Sequence, residues 1–278
     1  MSPPGRRILA ASALAAFGIL SAGIEFIASF YRSFPPDPAM TFMVTLASCL
    51  AWGFTRAYPR FSLSHRMASA DITLSVVVGD LFDQETHIVA GFTDTFDTSV
   101  SGEQVIHSAS VQGQLLRRLY DDDQLRLDRE LSAALSTATP LTKESRADKP
   151  HGKLARYPMG TVAVLGTPQR HIFAIAYGRM GNDMVTRSPV EDLWYCFNQL
   201  WDAIYRKGQR GPVSIPLMGS GLARVDSLDH ENLLRLILLS FVAYSRTQLI
   251  CHELRIVIRP EDVSRIDLIR VREFLRNF

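Results

Sequence analysis

Two long apolar stretches near the start of the chain are followed by a mixed, charged remainder. Residues 8–30 and 39–55 hold almost no charge, whereas the chain after Arg56 mixes apolar and charged positions. The stretches are about 23 and 17 residues long, and about 20 helical residues cross the hydrocarbon core of a bilayer. Residues 31–38 between them include three prolines and cannot continue a helix. The pattern therefore predicts two transmembrane helices joined by a tight turn.

The basic residues around this hairpin predict its orientation. Those at its outer ends are Arg6, Arg7, Arg56, Arg60 and Arg66. The turn holds only Arg32. By the positive-inside rule we expect a multi-pass protein of the bacterial inner membrane with both termini in the cytoplasm. A cleaved signal peptide is the alternative, but the first apolar run is longer than an h-region and the second would remain.

Glu25 places an ionisable group inside the first apolar stretch. Such groups are costly at membrane depth and are functional candidates by default. A ring of Glu25 side chains could line a pore or an assembly interface in a homo-oligomer. A carboxylate that reaches up to the outer headgroups is the equally weighted alternative.

The remainder alternates strand-like and helix-like segments. Strands are predicted at 71–78, 87–92, 161–165, 171–177, 213–217 and 254–258. Helices are predicted at 113–120, 121–135, 190–206, 227–245 and 261–277, and a loop at 136–157. This order predicts an α/β domain with a mixed, mostly parallel sheet that helices cover on both faces. We expect a membrane hairpin at 1–66 and a cytosolic ligand-binding domain at 67–278.

Composition and motifs exclude several classes of protein. Thirty basic and 28 acidic residues leave no basic stripe, and the chain carries no zinc finger or other nucleic-acid module. The three cysteines are scattered, with one inside an apolar stretch, so they form neither a disulfide framework nor a metal spacing. The histidines show no metal-binding motif and no serine has a GxSxG elbow. We expect no nucleic-acid partner, no metal, no cofactor and no catalytic residues.

Candidate chemistry lies where predicted strands end, because ligands of open α/β sheets bind at the carboxyl ends of the strands. The first candidate is Asp80, Leu81 and Phe82, directly after the first domain strand. A carboxylate there can accept a hydrogen bond from an exocyclic amine, and Phe82 can cover a ring. The alternative is a helix N-cap after a turn.

The second and third candidates follow later strands. One is the run Phe92, Thr93, Asp94, Thr95, Phe96, Asp97 and Thr98. Its carboxylates and hydroxyls can bind ribose hydroxyls, although a capped turn would use one or two of them. The other is the run Met218, Gly219, Ser220, Gly221, Leu222 and Ala223. Its glycines let backbone N–H groups approach a phosphate, but it is neither a Walker A motif nor a full GxGxxG.

Together the three loops, VVVGDLF, HIVAGFTDTFDT and SIPLMGSGLARV, resemble those of a macro domain over residues 70–278. With the preceding hairpin, the chain resembles the transmembrane effectors of type II Thoeris antiphage systems, the ThsA family. The resemblance implies that Asp80 reads adenine, that Gly219, Ser220 and Gly221 hold a diphosphate, and that residues 93–98 meet the distal ribose.

The family resemblance also implies a partner and an outcome. A TIR-domain enzyme would consume NAD during infection and make an ADP-ribose derivative that carries histidine. The macro domain would bind this signal, and the membrane part would then oligomerise and disrupt the lipid bilayer, as in abortive infection.

One departure from typical macro domains bears on enzymatic activity. Their second strand leads into NAAN and a run of glycines, whereas this chain has Phe92-Thr93-Asp94-Thr95 and then one glycine in residues 99–103. We therefore expect a receptor, with a membrane-tethered ADP-ribosyl hydrolase as the alternative. Asp94 and Asp97 are predicted to accept hydrogen bonds from an amine or imidazole at the end of the ligand.

Overall fold

The computed structural model describes residues 3–30, 37–57, 62–67, 71–103, 105–220, 228–276 and 278. For residues 3–10, 38 and 54–57 it describes the backbone alone. The chain divides into two compact units, Met1–Phe61 with Asp267–Glu273, and Ser62–Ile266 with Phe274–Phe278. The domain limits proposed from sequence, 1–66 and 67–278, stay a prediction. The turn that contains Arg32 lies outside the described residues.

The N-terminal unit contains two helices that pack against each other, α1 (Pro3–Phe30) and α2 (Pro38–Ala57). Asp37 caps α2, because its carboxylate accepts the backbone N–H of Ala39 at 3.0 Å. Among the described residues one helical segment, Ala11–Phe30, is long and apolar enough to cross a membrane. The apolar part of α2, Ala39–Gly53, is shorter. Of the two predicted spans, the structure supports the first alone, and it does not support the predicted multi-pass topology at the inner membrane. Glu25 lies exposed on α1.

The second unit is built on a sheet with the strand order β1-β2-β10-β9-β3-β7-β6, in which β8 also pairs with β7. Its strands are β1 (Ser62–Arg66), β2 (Thr73–Val78), β3 (His87–Thr93), β6 (Val162–Thr167), β7 (Arg170–Met180), β8 (Thr186–Arg187), β9 (Val213–Pro216) and β10 (Glu253–Ile258). Strands β4 (Thr142–Lys143) and β5 (Ala155–Arg156) form a separate antiparallel pair. The helices of this unit are α3 (Val111–Leu119), α4 (Gln124–Ala134), α5 (Val190–Lys207) and α6 (His230–Ser245). A further helix, α7 (Leu268–Leu275), belongs through residue 273 to the first unit.

The five central strands of the sheet are parallel. Strand β10 pairs in parallel with β2 and β9, and β3 pairs in parallel with β9 and β7. The strands beyond them, β1 on one side and β6 on the other, are antiparallel to their neighbours. The prediction of a mixed, mostly parallel sheet is confirmed. The carboxyl ends of five strands consequently lie along one edge of the sheet.

Alternation along the strands divides the core between the two faces of the sheet. Ile88, Ala90 and Phe92 of β3 pack in one cluster with Leu115 of α3 and Leu127 of α4. The intervening residues of β3 face the other side, where α5 packs against β7. The buried positions of α5 recur with helical spacing and are Leu193, Cys196, Phe197, Leu200, Trp201 and Ile204. Helices therefore flank both faces, as the sequence predicts.

Three local elements differ from the sequence-based expectation. The predicted final helix at 261–277 is interrupted: a 3₁₀ turn, Pro260–Arg265, precedes α7, because Ile266 has an extended backbone. The predicted loop at 136–157 contains β4 and β5. Residues 62–66, which the sequence analysis groups with the hairpin, form the antiparallel strand β1.

His87 is buried at the start of β3, and both of its ring nitrogens are hydrogen-bonded. The backbone N–H of His171 donates to Nδ1 at 3.0 Å, so the proton lies on Nε2, which donates to the carbonyl of Gly208 at 2.9 Å. Burial lowers the pKa of His87 from its ordinary 6.5; the bond to Gly208 opposes this, and the neighbouring His171 adds to it. His87 therefore binds a proton less tightly in the folded protein than in the unfolded chain.

This histidine predicts a loss of stability in mild acid. Its contribution is present above pH 6.5 and is lost as the pH falls. The free energy of unfolding should decrease below that pH by up to about 1.4 kcal/mol per pH unit from this one group. Urea denaturation at a series of pH values would measure the slope. His87→Gln should flatten it and the exposed control His151→Gln should not; equal slopes in all three proteins would contradict the assignment.

Candidate functional site

A cavity of about 720 Å³ lies at the carboxyl ends of the central strands. Its walls are the segments that follow β2, β9 and β10, the last residues of β3, the segment that leads into α3, and Tyr177 of β7. This volume is in the range of ligand-binding clefts in proteins. The cavity therefore brings the first and third sequence-predicted loops together, with the beginning of the second.

Asp80 lies at one corner of the cavity, immediately after β2. Its Oδ1 accepts the backbone N–H of Phe82 at 2.8 Å, which closes a tight turn without starting a helix. Its Oδ2 pairs with a guanidinium nitrogen of Arg118 on α3. Leu81 and Phe82 also line the cavity and are largely buried. An acceptor thus stands next to an aromatic ring at the place that the sequence predicts.

Phe92 and Thr93 are the members of the second loop that line the cavity. Phe92 is buried and stacks on Phe96 with 5.7 Å between the ring centroids. The hydroxyls of Thr93 and Thr95 lie 3.2 Å apart. After Thr93 the chain leaves the lining of the cavity.

Asp94 is used inside the protein. Its Oδ1 accepts the backbone N–H of Met180 at 2.8 Å, and its Oδ2 accepts from Arg156 at 2.9 Å. Arg156 also donates to Glu144 and to the carbonyl of Met180. Burial by itself would lower the pKa of Arg156, but the bonds to Glu144 and Asp94 outweigh it and raise the pKa. Asp94 thereby ties the end of β3 to β5 and to the end of β7.

Asp97 forms a second internal ion pair. It is 1% exposed, and its partner Lys149 is fully buried. The Nζ of Lys149 donates to Asp97 at 3.1 Å and to the carbonyl of Lys153 at 2.7 Å. The backbone N–H of Lys153 and the hydroxyl of Thr95 complete the acceptor sites of the carboxylate.

The larger part of the second loop therefore lies away from the cavity in this structure. Its members outside the lining are Asp94, Thr95, Phe96, Asp97 and Thr98. Thr98 donates to Asp128 at 2.7 Å. A buried carboxylate needs cationic or hydrogen-bond partners, and residues 142–156 supply both. The dense run of acids and hydroxyls thus serves the attachment of that segment, in the manner of the capped-turn alternative.

The glycine loop after β9 closes the other side of the cavity through Met218, Gly219 and Ser220. Gly221, Leu222 and Ala223 lie outside the described residues. Gly219 has φ +85°, a conformation that suits glycine. Burial raises the pKa of the nearby Tyr177 phenol to about 12, and the backbone of Gly219 opposes part of this rise.

Tyr177 was not predicted from sequence, although it ends a predicted strand. Its ring lies against β3, where a Cβ at position 91 would come within 2.9 Å of Cδ1, so Gly91 is required there. The ring lines the cavity between β3 and the glycine loop. The rule that ligands bind at the carboxyl ends of strands could have pointed to it.

Two further groups were also missed. The start of α3 lines the cavity, with Ser110 as N-cap accepting the N–H of Gly113 at 3.1 Å. After β10, Arg259 and Arg265 lie at the cavity around the buried Asp262, which accepts from Arg259 Nε at 2.9 Å. The helix N-terminus carries a partial positive charge, whereas both arginines are paired with Asp262 and part of their charge is offset.

The described residues place neither a metal-binding cluster nor a thiol at the cavity. Among the residues that the structure describes, no cluster of three His, Cys, Asp or Glu side chains could hold a metal ion. Burial raises the pKa of the Cys196 thiol to about 12 and that of Cys251 further still. Neither thiol lines the cavity. The cavity instead offers a carboxylate beside an aromatic ring at one end and glycine N–H groups and arginines elsewhere.

These features define an α/β domain with a candidate ligand site at the carboxyl ends of a mostly parallel sheet. A family model for the macro domain of Thoeris protein ThsA matches residues 74–259. This span is well over half of the chain, which therefore belongs to that family, as its loop motifs predict. Membership is consistent with antiphage defence and with a ligand related to ADP-ribose.

Several individual proteins are similar to this chain at low sequence identity. Thoeris protein ThsA of Bacillus amyloliquefaciens (strain Y2) is 25% identical over 205 residues, which cover 72% of this chain and 66% of that protein, just under two thirds. The Oceanobacillus iheyensis macrodomain with ADP has 14% identity and a TM-score of 0.44, over 78% of this chain and 99% of that one. Tomato leucine aminopeptidase has 14% identity and a TM-score of 0.42, over 77% and 37%. These two likenesses to solved structures are in fold alone.

The buried pair of Asp97 and Lys149 predicts a large and non-additive loss of stability. Asp97→Asn leaves the Lys149 ammonium buried without its counter-charge and should lower the free energy of unfolding by about 3–5 kcal/mol. The double variant Asp97→Asn/Lys149→Met removes both charges and should recover part of that loss. A double-mutant cycle by urea denaturation would measure the coupling.

The exposed pair of Asp183 and Arg187 is the matched control. Asp183→Asn should leave the unfolding midpoint nearly unchanged, because water screens that pair. Additive effects of the Asp97 and Lys149 substitutions would show that the buried pair is not coupled.

Proposed function

We propose that this chain is an antiphage effector whose macro domain binds a nucleotide signal derived from ADP-ribose. The signal is made by a TIR-domain enzyme and carries histidine. Its binding drives oligomerisation, and the N-terminal helices then disrupt the membrane. Family membership supports the defence role, and the cavity supports the nucleotide.

The observation that carries the ligand class is the placement of Asp80 and Phe82 at the end of β2, across the same cavity from the glycine loop. The carboxylate accepts from an adenine amine while the apolar ring contacts the base. The N–H groups of the glycine loop and the start of α3 suit a diphosphate. Arg259 and Arg265 line the same cavity, where each also pairs with Asp262.

The membrane role rests on the N-terminal unit. The segment Ala11–Phe30 has the length and composition of a span, and Glu25 is exposed on it. We propose that Glu25 lies at the contact between copies of the assembled protein. A ligand that binds the assembled state more tightly by about 5.5 kcal/mol would convert a nearly silent population into a nearly fully active one.

We propose binding without turnover. Where typical macro domains have the asparagine that supports hydrolysis, this chain has residues whose carboxylates, Asp94 and Asp97, are held in internal ion pairs. The cavity lining in the described residues includes Asp80, Glu261 and Asp262 as carboxylates. Of these, Asp80 pairs with Arg118, and Asp262 with Arg259.

Calorimetric titration of the full chain with NAD, ADP-ribose and histidine-linked ADP-ribose tests this function. We expect selective binding of the histidine conjugate, weaker binding of ADP-ribose, and no product by chromatography after prolonged incubation. Asp80→Asn should weaken binding of both ADP-ribose compounds about tenfold, because the charged acceptor for the adenine amine is lost.

Asp71→Asn is the control for this variant. Asp71 precedes the same strand at its opposite end and, like Asp80, pairs with an arginine, Arg66 at 2.7 Å. Its substitution should leave affinity unchanged. Turnover of ADP-ribosyl compounds would replace the receptor with the hydrolase, and indifference to all three nucleotides would remove the nucleotide function altogether.

A further inference from the structure

Arg118, near the end of α3, contacts the turn after β2 in three ways. Its Nη1 pairs with Asp80 Oδ2, and its Nη2 donates to Asp83 Oδ1 at 2.5 Å. The guanidinium carbon lies 5.4 Å from the centroid of the Phe82 ring. The bonds to Asp83 and Asp80 raise the pKa of Arg118, so it stays charged. One planar group therefore holds two carboxylates and one ring of the same turn.

Bonds from the other side also fix the backbone of the turn that carries Asp80. Arg170 donates to the carbonyls of Phe82 at 2.9 Å and Gln84 at 3.0 Å. Gln84 donates to the backbone carbonyl of Asp80 at 2.9 Å. These bonds fix the backbone of the turn. The side chain of Asp80 is fixed by the N–H of Phe82 on one oxygen and by Arg118 on the other.

A carboxylate held in this way accepts hydrogen bonds in a fixed direction and donates none. An exocyclic amine on a purine satisfies it, whereas a carbonyl at the same ring position places two acceptors against each other. A site with a fixed, charged acceptor therefore rejects the oxo base strongly. A carboxylate free to rotate would turn away from the carbonyl and discriminate less.

We propose that Arg118 is a positioning residue that gives the cavity its selectivity for a 6-aminopurine over a 6-oxopurine. This inference rests on the proposed nucleotide function and deepens it. Arg118 acts through Asp80, by holding the direction of its free lone pairs. Asp83, which is 66% exposed, serves as the second anchor of the guanidinium.

The test compares the affinities of the full chain for ADP-ribose and for inosine diphosphate ribose, in which a carbonyl replaces the amine. We expect Arg118→Met to lower the ratio of the two affinities about tenfold, the size of one charge-assisted hydrogen bond. Arg118→Lys should restore only part of the ratio, because an ammonium does not bridge two carboxylates as a planar fork does. Asp83→Asn should lower the ratio by less, in the same direction.

Arg126→Met is the matched control. Arg126 on α4 also lies over an aromatic ring, 5.2 Å from the centroid of Tyr120, and near a carboxylate, Glu130 at 3.9 Å. It does not line the cavity. Its substitution should leave the ratio as in the wild type. Thermal unfolding would show whether Arg118→Met is folded. If it is not, the affinity ratios of Arg118→Lys and Asp83→Asn test the proposal instead.

The outcomes separate this inference from the function beneath it. If the wild type is selective and Arg118→Met keeps its affinity ratio, the role of Arg118 is overturned while the proposed function stands. Equal weakening of both nucleotides in Arg118→Met, or a full return of the ratio in Arg118→Lys, would have the same meaning. A wild type that binds neither nucleotide would overturn the proposed function and the inference together.

Discussion

The burial of two carboxylates is the constraint on which the cavity side of this domain depends. Asp94 and Asp97 follow β3 and are almost fully buried. A buried charge requires partners. Residues 142–156 supply Arg156 and Lys149. An otherwise polar segment is therefore held against the end of a central strand. Ion pairs, as well as apolar contacts, therefore fix the loop that follows β3.

The cavity walls are held by the same kind of interaction. Arg118 holds the turn after β2, and Asp262 pairs with Arg259 and Arg265 after β10. The first contact joins a loop at the carboxyl edge of the sheet to α3, and the second fixes the segment after β10 on itself. Preorganised polar groups bind a charged ligand with little further ordering, which favours affinity. The cavity thus suits a charged ligand.

The fold was largely predictable because its signals are local. Short β-branched runs separated by helical periodicity predicted the parallel sheet, and glycine and aspartate at strand ends predicted Asp80 and Gly219. The partners of Asp94 and Asp97 could not be predicted, because Lys149 lies 52 residues from Asp97 in sequence and Arg156 lies 62 from Asp94. A run of acids after a strand has the same composition whether it faces a ligand or a buried cation. Tyr177 depends on the space left by Gly91, a pairing between two strands.

A crystal structure of the full chain with bound ADP-ribose would test the central claim most directly, namely that the cavity binds the nucleotide while the acidic loop stays internal. We predict the adenine at Asp80 and Phe82 and the diphosphate at Gly219, with Asp94 on Arg156 and Asp97 on Lys149 as in the free protein. A nucleotide bound elsewhere, or Asp94 and Asp97 released from their cations to contact the ligand, would contradict it.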